Sequence, residues 1–157
     1  MIGTLDSTER YGRYLRGLAA FRAAVEPALG EKGAPGDWMP QPIALLLAAD
    51  MSDLNLDPAS RLPVAAPACP SQRLGFSYVL EGSALGAQIL RRQARALGFD
   101  AGHGARHLAA QTTQPERWRG FCRHLEAATP FDDMAAAAAA DEAFALARRA
   151  MEAVDAV

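Results

Sequence analysis

Lysine is nearly missing from these 157 residues: Lys32 stands alone, and every other basic side chain is arginine. An excess of one charge is missing too. Sixteen basic against eighteen acidic residues leave −2, so no global field points to nucleic acid or to an anionic membrane. Cysteine is scarce, and Cys69 and Cys122 lie too far apart for CxxC or metal-type spacing, which fits incidental thiols in a reduced compartment better than a disulfide scaffold. No fully apolar run is longer than that from Ile43 to Ala49, which is far too short to span a bilayer. The chain opens with Thr4, Asp6, Ser7 and Glu9 and no apolar leader core, so the expectation is a cytoplasmic protein away from the membrane. β-Branched residues are sparse, whereas alanine is abundant and unbroken from Ala135 to Ala140, which argues against an all-β protein. The length and 50% apolar content suggest one domain, 1–157, with its own core.

Helical periodicity carries most of what is present. Asp6 and Ser7 are good N-caps, with Glu9 placed as in a capping box, and Tyr11, Tyr14, Leu15, Leu18, Phe21 and Val25 recur on one face. The spacing predicts a helix over Ser7–Glu26, stopped by Pro27 and the Gly30–Gly36 stretch, with Arg10, Arg13, Arg16 and Arg22 largely between the apolar positions. A short buried helix follows over Ile43–Met51, opened by Pro42, and Asp53–Pro70 reads as an irregular connection. The longest helix is expected over Ser71–Leu97, with Leu74, Tyr78, Leu85 and Ile89 marking one side and Gly98 closing it. Further helices are expected over Gly102–Ala110, from Pro115 through Leu125, and from Asp132 or Asp133 to about Val154, the last with Phe144, Met151 and Val154 as its larger apolar residues. The sum is an all-α domain of about six helices.

Gly82 and Gly86 stand inside the longest helix, where each glycine costs about 1 kcal/mol relative to alanine. Four residues apart, they share a face with Tyr78 and Ile89. Either a flat ligand lies against bare backbone there, or another helix packs closely on a small-xxx-small groove, as it would in an unrelated all-α interaction domain. Arg119 and Arg123 are spaced i,i+4, which suits carboxylate pairing as well as a merely solvated face. His103 and His107 share that spacing, but two ligands without a third make a poor metal site, and exposed helix surface is the simpler reading.

The string Tyr78-Val79-Leu80-Glu81-Gly82-Ser83-Ala84-Leu85-Gly86-Ala87-Gln88-Ile89-Leu90 resembles the distal-helix motif of heme oxygenases, most closely the bacterial branch associated with bacteriophytochromes. Similar stretches follow in order: Ala96-Leu97-Gly98-Phe99, then Trp118-Arg119-Gly120-Phe121 with Leu125, then Ala143-Phe144 in the terminal helix. Upstream, Tyr11-Gly12-Arg13-Tyr14-Leu15 resembles the family's second helix, so the resemblance runs from about Leu5 to the C-terminus. It implies an all-α, heme oxygenase-like fold holding heme between a proximal and a distal helix. It also implies oxidative cleavage of heme to biliverdin, Fe2+ and CO, with heme as both substrate and O2-activating cofactor and a reductase or ferredoxin as electron donor. Gly82, Ser83 and Gly86 become the candidate catalytic positions, Ser83 falling where many members place an aspartate that organises distal water. Tyr78, Gly82, Gly86, Arg119 and Arg123 become the candidate heme-binding positions, the two arginines facing the propionates.

The same resemblance identifies what is not found. The family binds iron through a proximal histidine about twenty or more residues before the tyrosine-rich helix, and Met1–Leu5 would match only the tail of that first helix. None of His103, His107 and His124 sits at the matching position, so no metal ligand is assigned, with His124 as the one substitute to consider. The chain is expected to be N-terminally short relative to the family. Two functions follow: a heme-cleaving enzyme, or a divergent non-catalytic relative acting as a tetrapyrrole- or protein-binding or regulatory module. A fold short of one helix exposes an apolar groove, which predicts a homo-oligomer or a protein partner covering it.

Overall fold

The computed structural model describes residues 4–30, 36–57, 60 and 62–155; Lys32, Pro58 and the first three residues of the expected Met1–Leu5 tail lie outside them. Among the described residues there are seven α-helices, one 3-10 turn and no strand beyond isolated bridges from Asp100 to His103 and Gly104. The count exceeds the expected six because the longest helix is divided in two.

Helix α1 (Thr8–Leu29) starts at Ser7, whose hydroxyl accepts the Arg10 N–H at 3.2 Å. Asp6 does not cap; it pairs with Arg10 at 3.0 Å along the first turn. The tyrosine-rich face is buried as the spacing predicts. The helix does not stop at Pro27 but ends at Gly30, with φ of 74°. A proline in the last turn forfeits only its bond to the carbonyl four residues back, and Ala23, which would have supplied it, lies on the exposed side. Helix α2 (Ala44–Asp53) begins after Pro42 rather than on it. The Glu26 carboxylate of α1 accepts the N–H groups of Ile43 at 2.9 Å and Ala44 at 3.1 Å, so one helix caps the next.

The described residues between Asp53 and Pro70 form no helix or strand, and Pro70 then opens α3 (Pro70–Gly82), which passes through the 3-10 turn Ser83–Gly86 into α4 (Ala87–Ala96). Gly98, at φ 91°, closes that run as expected. Helix α5 (Arg106–Gln111) is shorter than predicted because residues 98–105 form a turn pinned by Asp100 and by Gly104 at φ 76°. Helices α6 (Arg117–Ala127) and α7 (Asp133–Asp155) complete the order.

Helix α1 packs against α2 and α7, and α3 lies on α7 and α6. The buried face of α7 is Ala136, Ala139, Ala143, Leu146, Ala150 and Val154, whereas Phe144 is 54% exposed. The alanine run therefore has a job. A Cβ on Gly75 would stand 2.1 Å from the Ala136 carbonyl oxygen, and one on Gly17 2.4 Å from the Met151 sulfur. These two glycines and the alanines opposite let backbones approach where larger side chains would hold them apart.

Candidate functional site

The outward side of the α3–α4 run is the most unusual surface of the fold. Gly82 (φ −61°, ψ −30°) and Gly86 (φ −85°, ψ −7°) both lie in the right-handed region, so no backbone conformation demands glycine. Packing does not demand it either. A Cβ on Gly82 would meet only the Trp118 ring, at 3.7 Å, and one on Gly86 would meet nothing within 4 Å. Close helix packing belongs to Gly17 and Gly75, and that alternative fails at Gly82 and Gly86 among the described residues. Beside the two glycines, Tyr78, Leu85 and Ile89 are 42%, 61% and 59% exposed, while Leu74 on the same side is buried. An apolar face with a bare backbone strip thus points away from the core.

Helix α6 forms one wall of this face. The Tyr78 ring lies 5.5 Å from Trp118 and 6.4 Å from Phe121, and Trp38 packs on Phe121 at 5.4 Å and on His124 at 5.6 Å. Buried Glu81, on the inner side of α3, gathers these parts together. It accepts the Trp38 indole N–H at 3.0 Å, the Gln41 N–H at 3.2 Å and a forked pair from Arg117 at 2.7–2.8 Å. Arg117 also stands 5.1 Å over the Trp38 ring.

Beneath the 3-10 turn lies Arg22 of α1, only 2% exposed. One terminal nitrogen donates to the Leu80 carbonyl at 3.0 Å and to the Ser83 Oγ at 2.9 Å; the other donates to Glu26 at 3.3 Å and to the Gln41 carbonyl at 3.4 Å. Burial pulls the Arg22 pKa below its ordinary value, while Glu26 and Glu81 push it back up. The Ser83 hydroxyl in turn donates to the Leu80 carbonyl at 2.7 Å.

A second buried polar group joins α1, α2 and α5. His107 and Asp50 are both fully buried, the histidine Nδ1–H donating to Asp50 Oδ2 at 2.7 Å. Asp50 also accepts the N–H groups of Arg106 and His107 and an Arg106 guanidinium N–H. Burial raises the Asp50 pKa, but the bonds from His107 and Arg106 outweigh it and hold the carboxyl below its usual range. Burial lowers His107 against the pull of Asp50, so the ring is neutral and its Nε2 accepts from the Tyr14 hydroxyl at 3.3 Å. Burial likewise raises the Tyr14 and Tyr11 phenols, and Tyr11 donates to the Gly104 carbonyl at 2.6 Å.

Tyr78, Gly82 and Gly86 lie together on the open face. Ser83 is exposed, but its hydroxyl is tied to Leu80 and Arg22. Arg119 and Arg123 sit on exposed positions of α6, Arg119 in a surface pair with Glu116 at 3.3 Å. His124 rests against Trp38, and His103 lies in the turn before α5. His107 corrects the sequence expectation, since it is core rather than exposed surface. Among the described residues no three histidine, cysteine or carboxylate side chains gather as a metal site, and no helix is long and apolar enough to cross a membrane. The spacing gave no signal for Arg22, Glu81, Asp50 or Arg117; only the sequence position of Glu81 beside Gly82 could have drawn notice.

The heme oxygenase family profile matches residues 49–153, most of the chain. Heme oxygenase PigA from Pseudomonas aeruginosa is 40% identical over 57 residues, which make up 36% of this chain and 29% of that one. The matched stretch thus spans under a third of that relative's length. Among solved structures, the NO- and CO-bound heme oxygenase from Neisseria meningitidis superimposes with a TM-score of 0.75 at 27% identity, covering 98% of this chain and 81% of that one.

Proposed function

Because this chain belongs to the heme oxygenase family, we propose that it binds heme on the outward face of the Gly82–Gly86 turn and serves its oxidative cleavage to biliverdin, Fe2+ and CO. One observation carries the reading: two glycines that neither conformation nor packing requires line an open apolar face. Such a strip suits a flat macrocycle, because a missing Cβ lets a ring plane reach backbone distance.

Bound heme would be the substrate and would also supply the O2-activating centre. The remaining roles belong to the chain. Tyr78, Leu85 and Ile89 offer apolar contact around the glycines, and the Trp118 ring flanks Gly82. Arg119 and Arg123 offer forked donors for the propionate carboxylates. The single Ser83 proton is committed to the Leu80 carbonyl, so toward a ligand this hydroxyl acts as an acceptor and orients water rather than giving up its own proton. A reductase or ferredoxin is the electron donor that this reaction requires, and a second copy or a protein partner is the expected neighbour of the open face.

The test is a heme titration with imidazole supplied in solution as an axial ligand, followed by ascorbate under air. A sharp Soret band that gives way to biliverdin absorption is expected. No Soret change at micromolar heme, with or without imidazole, overturns the reading; a stable Soret band without biliverdin leaves binding and removes cleavage.

A further inference from the structure

We propose that Arg22 is the positioning residue of this face: from the core side it holds the Ser83–Gly86 turn in its tightened form and fixes the direction of the Ser83 hydroxyl. The proposal rests on the reading of that face as a heme surface, and it identifies what keeps the surface in shape.

The Leu80 carbonyl is the contested acceptor of this turn. A carbonyl oxygen has two lone pairs, and here two side-chain donors, Arg22 at 3.0 Å and the Ser83 hydroxyl at 2.7 Å, compete for them. In an unbroken α-helix this carbonyl would receive the amide four residues on. Two side-chain donors at that oxygen favour a change of pitch one turn later, where the 3-10 segment stands. A guanidinium can do this from one place because its donors form a rigid planar fork. The same nitrogen that reaches Leu80 reaches Ser83 Oγ at 2.9 Å, so donor, acceptor and hydroxyl close a three-membered ring of hydrogen bonds.

The other side of the fork fixes Arg22 itself. Its second nitrogen is held by Glu26 and the Gln41 carbonyl, and Glu26 is in turn fixed by the amides that open α2. The turn is therefore tied to α1, to the start of α2 and to the 41–43 segment through one side chain. A residue needed only for bulk could be apolar at this position, because a buried charge without a polar role is costly. A lysine keeps the charge but offers one ammonium on a flexible stem, which cannot serve Leu80, Ser83, Glu26 and Gln41 together.

The experiment compares the parent chain with Arg22→Lys, Arg22→Met and Ser83→Ala. Amide hydrogen exchange without ligand reads the turn, and heme titration with imidazole reads its consequence. Expected are exchange at residues 83–87 about tenfold or more faster in both Arg22 variants, selectively over α7, and heme affinity weakened about tenfold with a displaced Soret maximum. Ser83→Ala, which leaves the core intact, should show the same changes to a smaller extent. If either Arg22 variant is too unstable to measure, the other and Ser83→Ala decide. Exchange that rises uniformly or not at all overturns the positioning role. Parent-like heme affinity and spectrum in the variants overturn it too, while leaving the heme reading in place. A parent chain that takes no heme removes the heme reading instead, and the exchange data then judge Arg22 alone.

Discussion

Replacing Gly86 by alanine should make the protein more stable and worse at its task. The added methyl meets no atom within 4 Å, and the backbone at φ −85°, ψ −7° accepts an L-residue without strain. Alanine restricts the unfolded chain more than glycine does and favours the helical region, which is worth about 0.5–1 kcal/mol here. For a chain of this size that corresponds to a rise in Tm of about 1–4 °C. The same methyl stands out from the bare strip and would lift a flat ligand off the backbone. Heme affinity should fall at least about tenfold, on the order of 1.4 kcal/mol. Gly75→Ala is the matched control. There the methyl would stand 2.1 Å from the Ala136 carbonyl oxygen and 3.0 Å from the Ala140 nitrogen, backbone atoms that cannot rotate away. Overpacking of that kind should cost about 3 kcal/mol or more. Differential scanning calorimetry and heme titration on the two variants read both effects. A Gly86→Ala chain that is less stable than the parent, or that binds heme equally well, refutes the reasoning.

Acid should weaken the fold through His107. Burial keeps the folded-state pKa below the ordinary histidine value of about 6.5, so only the unfolded chain takes up this proton. Stability is complete above that value and falls as pH drops through it, by at most about 1.4 kcal/mol per pH unit. Urea unfolding at pH 7.5 and 5.5 measures the slope, and His107→Gln should flatten it; an equal slope in the variant contradicts the assignment. Asp50 acts lower on the scale, because its depressed pKa gives stability that is lost as pH falls below about 4. Asp50→Ala should remove about 3–5 kcal/mol at neutral pH in the same assay, since it strands the His107 and Arg106 donors. Glu81→Ala releases the Trp38 indole and the Arg117 fork, so a red shift in tryptophan emission should accompany a lower Tm; unchanged emission would show that Trp38 is held by its ring contacts alone.

Much of the fold could be read from periodicity because long, one-sided helices declare themselves. The tyrosine-rich face of α1 is buried as its spacing requires, and the glycines of the 78–90 string do fall where the run changes pitch. The errors have a common cause. Size did not tell which face of α7 is buried: methyl-sized residues face inward with Val154 while Phe144 faces out, because α3 approaches closely at Gly75. Charge misled the reading of α1, where Arg22 occupies a polar position in the pattern yet lies in the core, held by acceptors about sixty residues further on. His107 was hidden in the same way, its partner Asp50 being 57 positions earlier. Local spacing reports the face a residue occupies on its own helix, and it is silent on what another helix brings to meet it.

The seam between α3 and α7 has a mechanical consequence. At its tightest point Gly75 faces the Ala136 carbonyl, the Ala139 methyl and the Ala140 nitrogen, and neither glycine nor alanine has a χ angle that could rotate to absorb a displacement there. A seam without rotamers behaves as a rigid weld. Any movement of α3 when a ligand settles on Gly82 and Gly86 must then either carry the 23 residues of α7 along or be absorbed at the 3-10 turn. The α3–α4 run then has the 3-10 turn as its place to bend, and that turn would lie directly under a ligand resting on Gly82 and Gly86.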